Sequence, residues 1–390
     1  MTGHHTSAPA ANDDRYARAA LSFLAEPGDP ALGALLRRCR PVQIVAAIAA
    51  PRDNPAALVA ACPDIGGLRR SFERWRERYD QVPPPARLTA WQAAGFRIVC
   101  PGDPEWPTQL DDLGDGRPVV LWLRGTADLR YSCLRSVSVV GSRAATAYGT
   151  HVCAEMAAAL AELGWNVISG GAYGIDAAAH RGALAADGCT VCVLASGLSY
   201  GYPKGHHELF RVIAGSGLLV SECPPDQAPT RPGFLIRNRV IAALSRGTVV
   251  VEAALRSGAL STARHARELN RPVMAVSGPV TSDRSAGCHQ LIKDNDAVLV
   301  TGARDVIEMI APLGQADDGQ ARSPAIPAEV LDPVTAAVLA AVPERAGRGP
   351  ATIASLARVD LDTAMRCLGL LAAVGHVTRS ERGWRRRKDA

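Results

Sequence analysis

A doubly wound α/β fold with a mostly parallel sheet is predicted by three observations on this 390-residue chain. First, two strand–glycine–helix passages stand back to back. The apolar run Val137–Val140 stops at Gly141, ahead of an Ala/Leu-rich helical pattern from about Tyr148 to Leu163. Asn166–Ser169 then breaks at Gly170 and Gly171, ahead of a helix starting near Ile175. Second, five further apolar runs follow: Thr190–Leu194, Leu218–Ser221, Thr248–Glu252, Pro272–Val276 and Ala297–Val300. Helical patterns separate them, including Leu235–Leu244 and Ser261–Leu269. Third, Arg97–Cys100 and Val119–Leu123 read as strands leading into the first passage. Strands that alternate with helices need crossover connections, and these put the strands parallel. Ligands of such sheets sit outside the carboxyl ends of the strands, where Gly141-Ser142-Arg143 and Gly170-Gly171 both fall.

The bulk numbers bound the rest. A chain of 390 residues holds two or three domains, and its 47% hydrophobic and 21% charged content is ordinary for a water-soluble protein. The net charge of +5 is mildly basic, and of 43 basic residues only Lys204, Lys293 and Lys388 are lysines. This arginine bias, with abundant alanine, reads as genome composition, so the position of each cation has to carry any argument about anionic partners. The opening MTGHHTSAPAANDDR has no apolar core, and Ile44–Ala50, which ends at Pro51, is far too short to span a bilayer. The expectation is a cytoplasmic protein without membrane insertion, its ten scattered cysteines reduced.

In chain order, residues 1–12 read as disordered. Arg15–Leu24, Leu32–Arg38, Val42–Ala49, Leu68–Tyr79 and Leu88–Ala94 read as helices, which makes 1–95 a small helical domain. Either a docking module or a plain helical cap fits that pattern. The α/β domain occupies 96–312. Residues 313–330, rich in Gly, Asp, Ala and Pro, read as a linker. In 331–390, helical patterns at Pro333–Val342, Thr352–Ala357 and Asp362–Val374 precede a hairpin-length segment, Gly375–Arg385. Three helices and a wing make a winged helix-turn-helix, and the tail from Arg379 to Lys388 is the densest positive cluster of the chain.

The candidate chemistry gathers at the strand ends. Gly141, Ser142 and Arg143 form a glycine loop with a forked cation before a helix, an arrangement suited to a phosphate. Gly170 and Gly171 offer close backbone approach after the next strand. Lys204 follows the strand after that, and Ser257, Gly258, Ser261 and Thr262 precede a later helix. Between them lies Arg231-Pro-Gly-Phe234-Leu-Ile-Arg237-Asn238-Arg239. Its arginines suit successive phosphates and Phe234 suits a base; a helix start with solvated arginines and a core phenylalanine is the alternative. One nucleotide needs one or two such loops, whereas five suit a polymeric phosphate backbone.

Other motifs carry less. Gly197-Leu-Ser199-Tyr-Gly201 has the spacing of a hydrolase elbow, but Tyr202-Pro203 favours extended chain where a helix would have to begin. Cys189 and Cys192 stand three apart on a strand, so they point to opposite faces, and no second pair lies at zinc spacing. Asp176 and His180 share a helix face but are too few for a metal. Asp176 also suits the helix dipole.

Taken together, VVGSRAATAYG, ISGGAYGIDAAAH, YGYPKGHHELF, SECPPDQAPTRPGFLIRNRVIAALS, VVVEAALRSGALSTARHA and VMAVSGPVTSDRSAGCHQLI resemble, in order and spacing, the bacterial DNA-processing protein A family (DprA, also called Smf). The likeness spans roughly Gly102–Val300, and Leu361–Arg385 resembles the family's winged-helix appendage. Ser277, His289, Asn295-Asp296 and Leu235-Ile236 depart from the usual pattern. The resemblance implies an extended Rossmann domain after an N-terminal helical domain of SAM or helix-hairpin-helix type. It implies a homodimeric single-stranded DNA-binding protein without catalytic activity or cofactor, which protects strands during natural transformation or recombination and assists RecA loading. By motif position Arg143 is then the principal phosphate contact, with Lys204, Arg237 and Arg239 along the same groove and Phe234 stacking on bases.

Two other classes compete. Rossmann enzymes that hydrolyse nucleoside monophosphates also place glycine loops and a glutamate at this edge, and Glu252 is the acid such an enzyme would use, although their P-G-G-x-G-T run is absent. A winged-helix regulator that senses a ligand through its α/β domain is the other.

Overall fold

The computed structural model describes residues 8–50, 55–311, 331–344, 347–373, 376–380 and 383–386. The expected linker lies outside them, as do residues 1–7 and, of the basic tail, Glu381, Arg382, Arg387 and Lys388. Of the stretch expected to be disordered, the part from Ala8 onward is helical.

Six helices come first: α1 (Ala8–Leu24), α2 (Pro30–Leu36), α3 (Pro41–Ala49), α4 (Pro55–Ala61), α5 (Leu68–Glu77) and α6 (Pro85–Ala93). Only α4 had no counterpart in the sequence reading. Proline opens four of them, α2, α3, α4 and α6, where its missing N–H costs nothing. The Asp29 carboxylate caps α2 by accepting from Ala31 N at 2.9 Å. Leu21, Leu24, Leu32, Leu35, Ile44, Phe72 and Trp75 close a core of their own.

The sheet strands are β1 (Phe96–Val99), β2 (Leu121–Gly125), β3 (Ser136–Val140), β4 (Asn166–Ser169), β5 (Thr190–Leu194), β6 (Leu218–Ser221), β7 (Thr248–Val250), β8 (Val273–Val276) and β9 (Val298–Val300). The helices among them are α7 (Leu129–Leu134), α8 (Ala147–Glu162), α9 (Ile175–Ala185), α10 (His207–Ser216), α11 (Arg231–Leu244), α12 (Ala259–Glu268), α13 (Ala286–Lys293) and α14 (Ala303–Ile310). The order across the sheet is β1-β2-β6-β5-β4-β3-β7-β8-β9. Strands β3 to β9 pair in parallel, while β2 runs antiparallel to both β6 and β1.

Alternation along the strands explains how both faces are covered. Val140, Ile168, Val191 and Val250 pack with residues of α7, α11 and α12 on one face. Val137, Val139, Val167 and Val249 pack with α8, α9 and α14 on the other. Beside them, Trp122, Phe96 and Leu194 meet α10, α6 and Ala19 of α1, so the helical segment is seated directly on the sheet. The described residues up to Ala311 form one compact unit, and the boundary expected at residue 95 falls inside it. From β3 the chain steps one way to β4, β5 and β6, then returns to the other side of β3 for β7, β8 and β9. This reversal opens a crevice at the carboxyl ends of β3 and β7.

The second unit contains α15 (Pro333–Ala341), α16 (Pro350–Ala357) and α17 (Leu361–Ala373), then a hairpin of β10 (Val377–Ser380) and β11 (Gly383–Arg386). Val338, Ile353, Leu368 and Leu371 are buried within it.

Candidate functional site at the strand ends

The loop after β3 is bolted to its neighbours at both ends. Ser142 N donates to Glu252 O at 2.6 Å, and Ser142 O accepts from Ile175 N at 3.1 Å. A Cβ on Gly141 would lie 2.7 Å from the Ile175 side chain and 2.8 Å from Glu252 O, so only glycine passes between β7 and α9. The Ser142 hydroxyl accepts from Ala144 N at 3.2 Å and from the Arg284 guanidinium at 3.1 Å, which ties this loop to the one after β8. On this fixed base Arg143 is exposed, and its guanidinium stands 4.8 Å from the centre of the Phe234 ring. Phe234 occupies the first turn of α11, capped by the Thr230 hydroxyl, which accepts from Gly233 N.

Several expected contacts point elsewhere. Residues two apart on a helix cannot share a face. Arg237 is buried and donates to Val193 O at 2.7 Å, with its guanidinium filling the space over Gly170. Arg239 is buried in a two-pronged ion pair with Glu222 at 2.6 and 2.7 Å. Asn238, also buried, donates to Gly258 O and braces α11 against the loop after β7. The triplet is therefore internal scaffolding for the crevice, not a row of phosphate ligands. Gly170 and Gly171 are likewise buried: a Cβ would meet the Arg237 guanidinium at the first and Cys192 Sγ at the second. Thr262 lies beneath the surface, 1% exposed. Ser257 is half-buried and accepts from Ala259 N, while Gly258 is exposed at the start of α12.

The carboxyl edge presents outward four cations, of which Arg143 and Lys204 were expected and Arg231 and Arg256 were not. Arg143 follows β3, Lys204 follows β5, Arg231 opens α11 after β6, and Arg256 follows β7. All four are exposed, and none makes an ion pair among the described residues. Arg231 and Arg256 were missed in the sequence because R-N-R drew attention to the interior of α11. Their signal was position alone: Arg231 at a helix start and Arg256 in a strand-end loop.

Beneath this rim lies a polar layer. Asp176 is buried beside Arg237 and accepts from Ala172 N; burial pushes its carboxyl up, against the pull of Arg237. His180 is fully buried, with Nδ1 at 2.8 Å from the Thr190 hydroxyl, which itself donates to Val167 O. That hydroxyl therefore accepts from Nδ1–H, and Asp176 and His180 form no common ligand pair. Burial pushes the imidazole down to about 3, so it is neutral at pH 7. An unfolded histidine takes up a proton near 6.5 that the folded one refuses, so stability falls as pH drops through that window. The loss is about 1.4 kcal/mol per pH unit between about 6 and 4. Asp176, shifted upward, works in the opposite direction over its own range. The thermal midpoint followed against pH should show a flatter acid limb in His180→Gln than in wild type; parallel limbs would contradict the buried neutral imidazole.

Ser199 sits in an exposed turn with no helix beginning at it, so no hydrolase elbow forms. Cys189 lies before β5 and Cys192 is buried within it; all ten thiols are free. No cluster of metal-ligating side chains, and no helix long and apolar enough to cross a membrane, occurs among the described residues.

Fold and site define a class: a Rossmann-like α/β protein with exposed cations at its strand ends that make no ion pair among the described residues. Residues 97–311 match the family model described as DNA recombination-mediator protein A, and the chain belongs to that family. It is 43% identical over 347 residues to a Mycobacterium tuberculosis protein named for DprA, covering 86% of this chain and 84% of that one. The X-ray structure of DNA processing protein A from Streptococcus pneumoniae superposes with a TM-score of 0.58 at 31% identity, covering 70% of this chain and 98% of that one. DNA processing protein A from Helicobacter pylori, whose structure was described for its single-stranded DNA binding mode, gives a TM-score of 0.50 at 29% identity, covering 55% and 94%.

Proposed function

We propose that this protein binds single-stranded DNA without sequence preference along the strand-end crevice. One observation carries the reading: four segments at one edge of the sheet each offer one exposed cation that makes no ion pair among the described residues, Arg143, Lys204, Arg231 or Arg256. A cation row spread over separate loops suits a run of phosphates better than one small anion. Single strands are favoured over duplex because exposed tyrosines stand among these cations and bare bases stack on aromatic rings. We further propose a cytoplasmic role in protecting strands and assisting RecA loading, which is in keeping with a family described as recombination mediators.

A homodimer is part of the proposal. β9 ends the sheet with one side unpaired and exposes Val298 and Leu299 at 46% and 45%, a surface suited to a second copy. We read the protein as a binder and not as a nucleotide hydrolase. Glu252 is 2% exposed and accepts from both Thr146 N and the Thr146 hydroxyl, so it braces α8 instead of facing a substrate. The three helices and hairpin of the second unit are read as a winged helix. Its α17 exposes Leu361 and Met365, which suits protein contact better than duplex reading.

Four phosphate contacts give a slope of about −2.8 in log affinity against log salt, or roughly fifty-fold weaker binding of oligo-dT between about 50 and 200 mM. Titration of labelled oligo-dT and a matched duplex at the two concentrations checks this. Affinity that stays flat with salt, or equal affinity for the two ligands, would overturn the reading.

A further inference from the structure

Arg143 is held by what stands on either side of it in the chain. The residue before it is anchored twice through its backbone, with Ser142 N donating to Glu252 O and Ser142 O accepting from Ile175 N. Beyond it, Thr146 is anchored through its N–H, which donates to Glu252 Oε2 at 2.9 Å. Arg143, Ala144 and Ala145 lie between these anchors and belong to neither β3 nor α8. A loop segment opens easily where its backbone groups lack partners.

Arg284 supplies the tie for this stretch. It stands on the loop after β8, and its guanidinium donates to the Ser142 hydroxyl at 3.1 Å and to Ala144 O. The same hydroxyl accepts from Ala144 N at 3.2 Å, so both its lone pairs are occupied. Both backbone groups of Ala144 are thereby closed onto one clamp, the N–H through Ser142 Oγ and the C=O through Arg284. Arg284 differs in this from the four outward cations. It is half-buried and makes no ion pair among the described residues, and its Nη1 is spent on two neutral oxygens.

A clamp needs a stiff support, and the loop after β8 is one. Ser282 N donates to Pro279 O and Ser285 N to Ser282 O, both at 3.0 Å, while Arg284 N donates to Ser282 Oγ at 3.3 Å. At the start of α13, Gly287 N donates to Ala253 O at 2.7 Å and fixes the helix to the loop after β7. The Tyr148 hydroxyl of α8 donates to Ser277 O at 2.8 Å, and His289 Nε2 lies 3.1 Å from Gly278 O. Ser277 and His289, two of the positions that depart from the family pattern, are thus part of the brace. The β3–α8 connection and the loop after β8 are joined twice, by Arg284 and by Tyr148, across the intervening β7.

We propose that Arg284 is a positioning residue for DNA binding, which touches no phosphate itself and holds Arg143 in place by clamping Ser142 and Ala144. The inference rests on the single-stranded DNA reading above. A strand that meets a pre-set Arg143 is spared the cost of ordering it, which corresponds to about three- to tenfold in affinity for one long side chain.

The test titrates labelled oligo-dT at two salt concentrations with wild type, Arg284→Ala, Arg143→Ala and the double variant. Arg284→Ala should bind about three- to tenfold more weakly at both, with an unchanged salt slope, because no phosphate contact is lost. In the Arg143→Ala background the same substitution should change affinity by less than about twofold, since nothing remains to be positioned. Amide hydrogen exchange, read without DNA, should speed up at Ala144 while Ser142 keeps its rate. Arg284→Gln, whose side chain ends short of Ala144 O, should behave alike and replaces the alanine variant should that one fold poorly. A slope reduced by about 0.7, or an equal loss with and without Arg143, would make Arg284 a phosphate contact and overturn the assignment. Wild-type affinity in Arg284→Ala, or unchanged exchange at Ala144, overturns it as well. If Arg143→Ala itself binds like wild type, the single-stranded DNA reading has failed and this inference falls with it. If Arg143→Ala weakens binding and Arg284→Ala does not, only the inference has failed.

Discussion

Arg143→Ala is expected to weaken oligo-dT binding about ten- to a hundred-fold and to reduce the magnitude of the salt slope by about 0.7. A charge-assisted hydrogen bond contributes about 1.5–3 kcal/mol, and each neutralised phosphate contributes about 0.7 to the slope for single strands. The side chain is exposed and forms no ion pair among the described residues, so the thermal midpoint should not move. Arg143→Lys should restore the slope, since the charge remains, but only part of the affinity. An ammonium has neither the fork that matches a phosphate nor the flat face that rests on Phe234. A variant with wild-type affinity and slope would move the DNA site away from the crevice, and the basic tail would be the next place to look.

The largest loss of stability is expected from Glu222→Ala. Glu222 and Arg239 meet through two hydrogen bonds at 2.6 and 2.7 Å, with side chains 8% and 10% exposed. Gly28, just before α2, packs so tightly on the guanidinium that a Cβ there would lie 2.8 Å from it. Removing the carboxylate strands a cation in this enclosure, at a cost of about 3–5 kcal/mol. That is a large part of the roughly 5–15 kcal/mol that a folded domain commonly has, so the shift in urea denaturation should be unmistakable. Replacing both partners, as in Glu222→Leu with Arg239→Met, should recover most of the loss, because no unpaired charge remains. The double variant should also bind oligo-dT like wild type, which distinguishes an internal brace from a phosphate contact. A single Glu222→Ala variant within about 0.5 kcal/mol of wild type would mean that water reaches the pair.

The sheet was legible because its strands are short apolar runs ended by glycine or a polar loop, and periodicity carries that information locally. All nine strands fall within two residues of their expected starts and ends. Two sequence neighbours show where legibility stopped. Phe234 and Arg237 lie within one helical turn of each other, yet one borders the crevice and the other fills the space under Gly170. Arg231 attracted no attention as a cation in its own right, although it is the arginine of that helix left exposed, with no ion pair among the described residues.

By itself, the order of apolar runs and glycine breaks determined the α/β class and placed Arg143 at a strand end, while the motifs between them carried the resemblance to the family. Only the tertiary structure decided which arginines reach that edge. An arginine written in a sequence has the same charge wherever it stands. Whether it meets a phosphate or a buried carboxylate depends on partners distant in the chain: Glu222 and Gly28 for Arg239, Val193 O and Gly170 for Arg237. Those partners are brought in by helix rotation and sheet order, which no local pattern encodes.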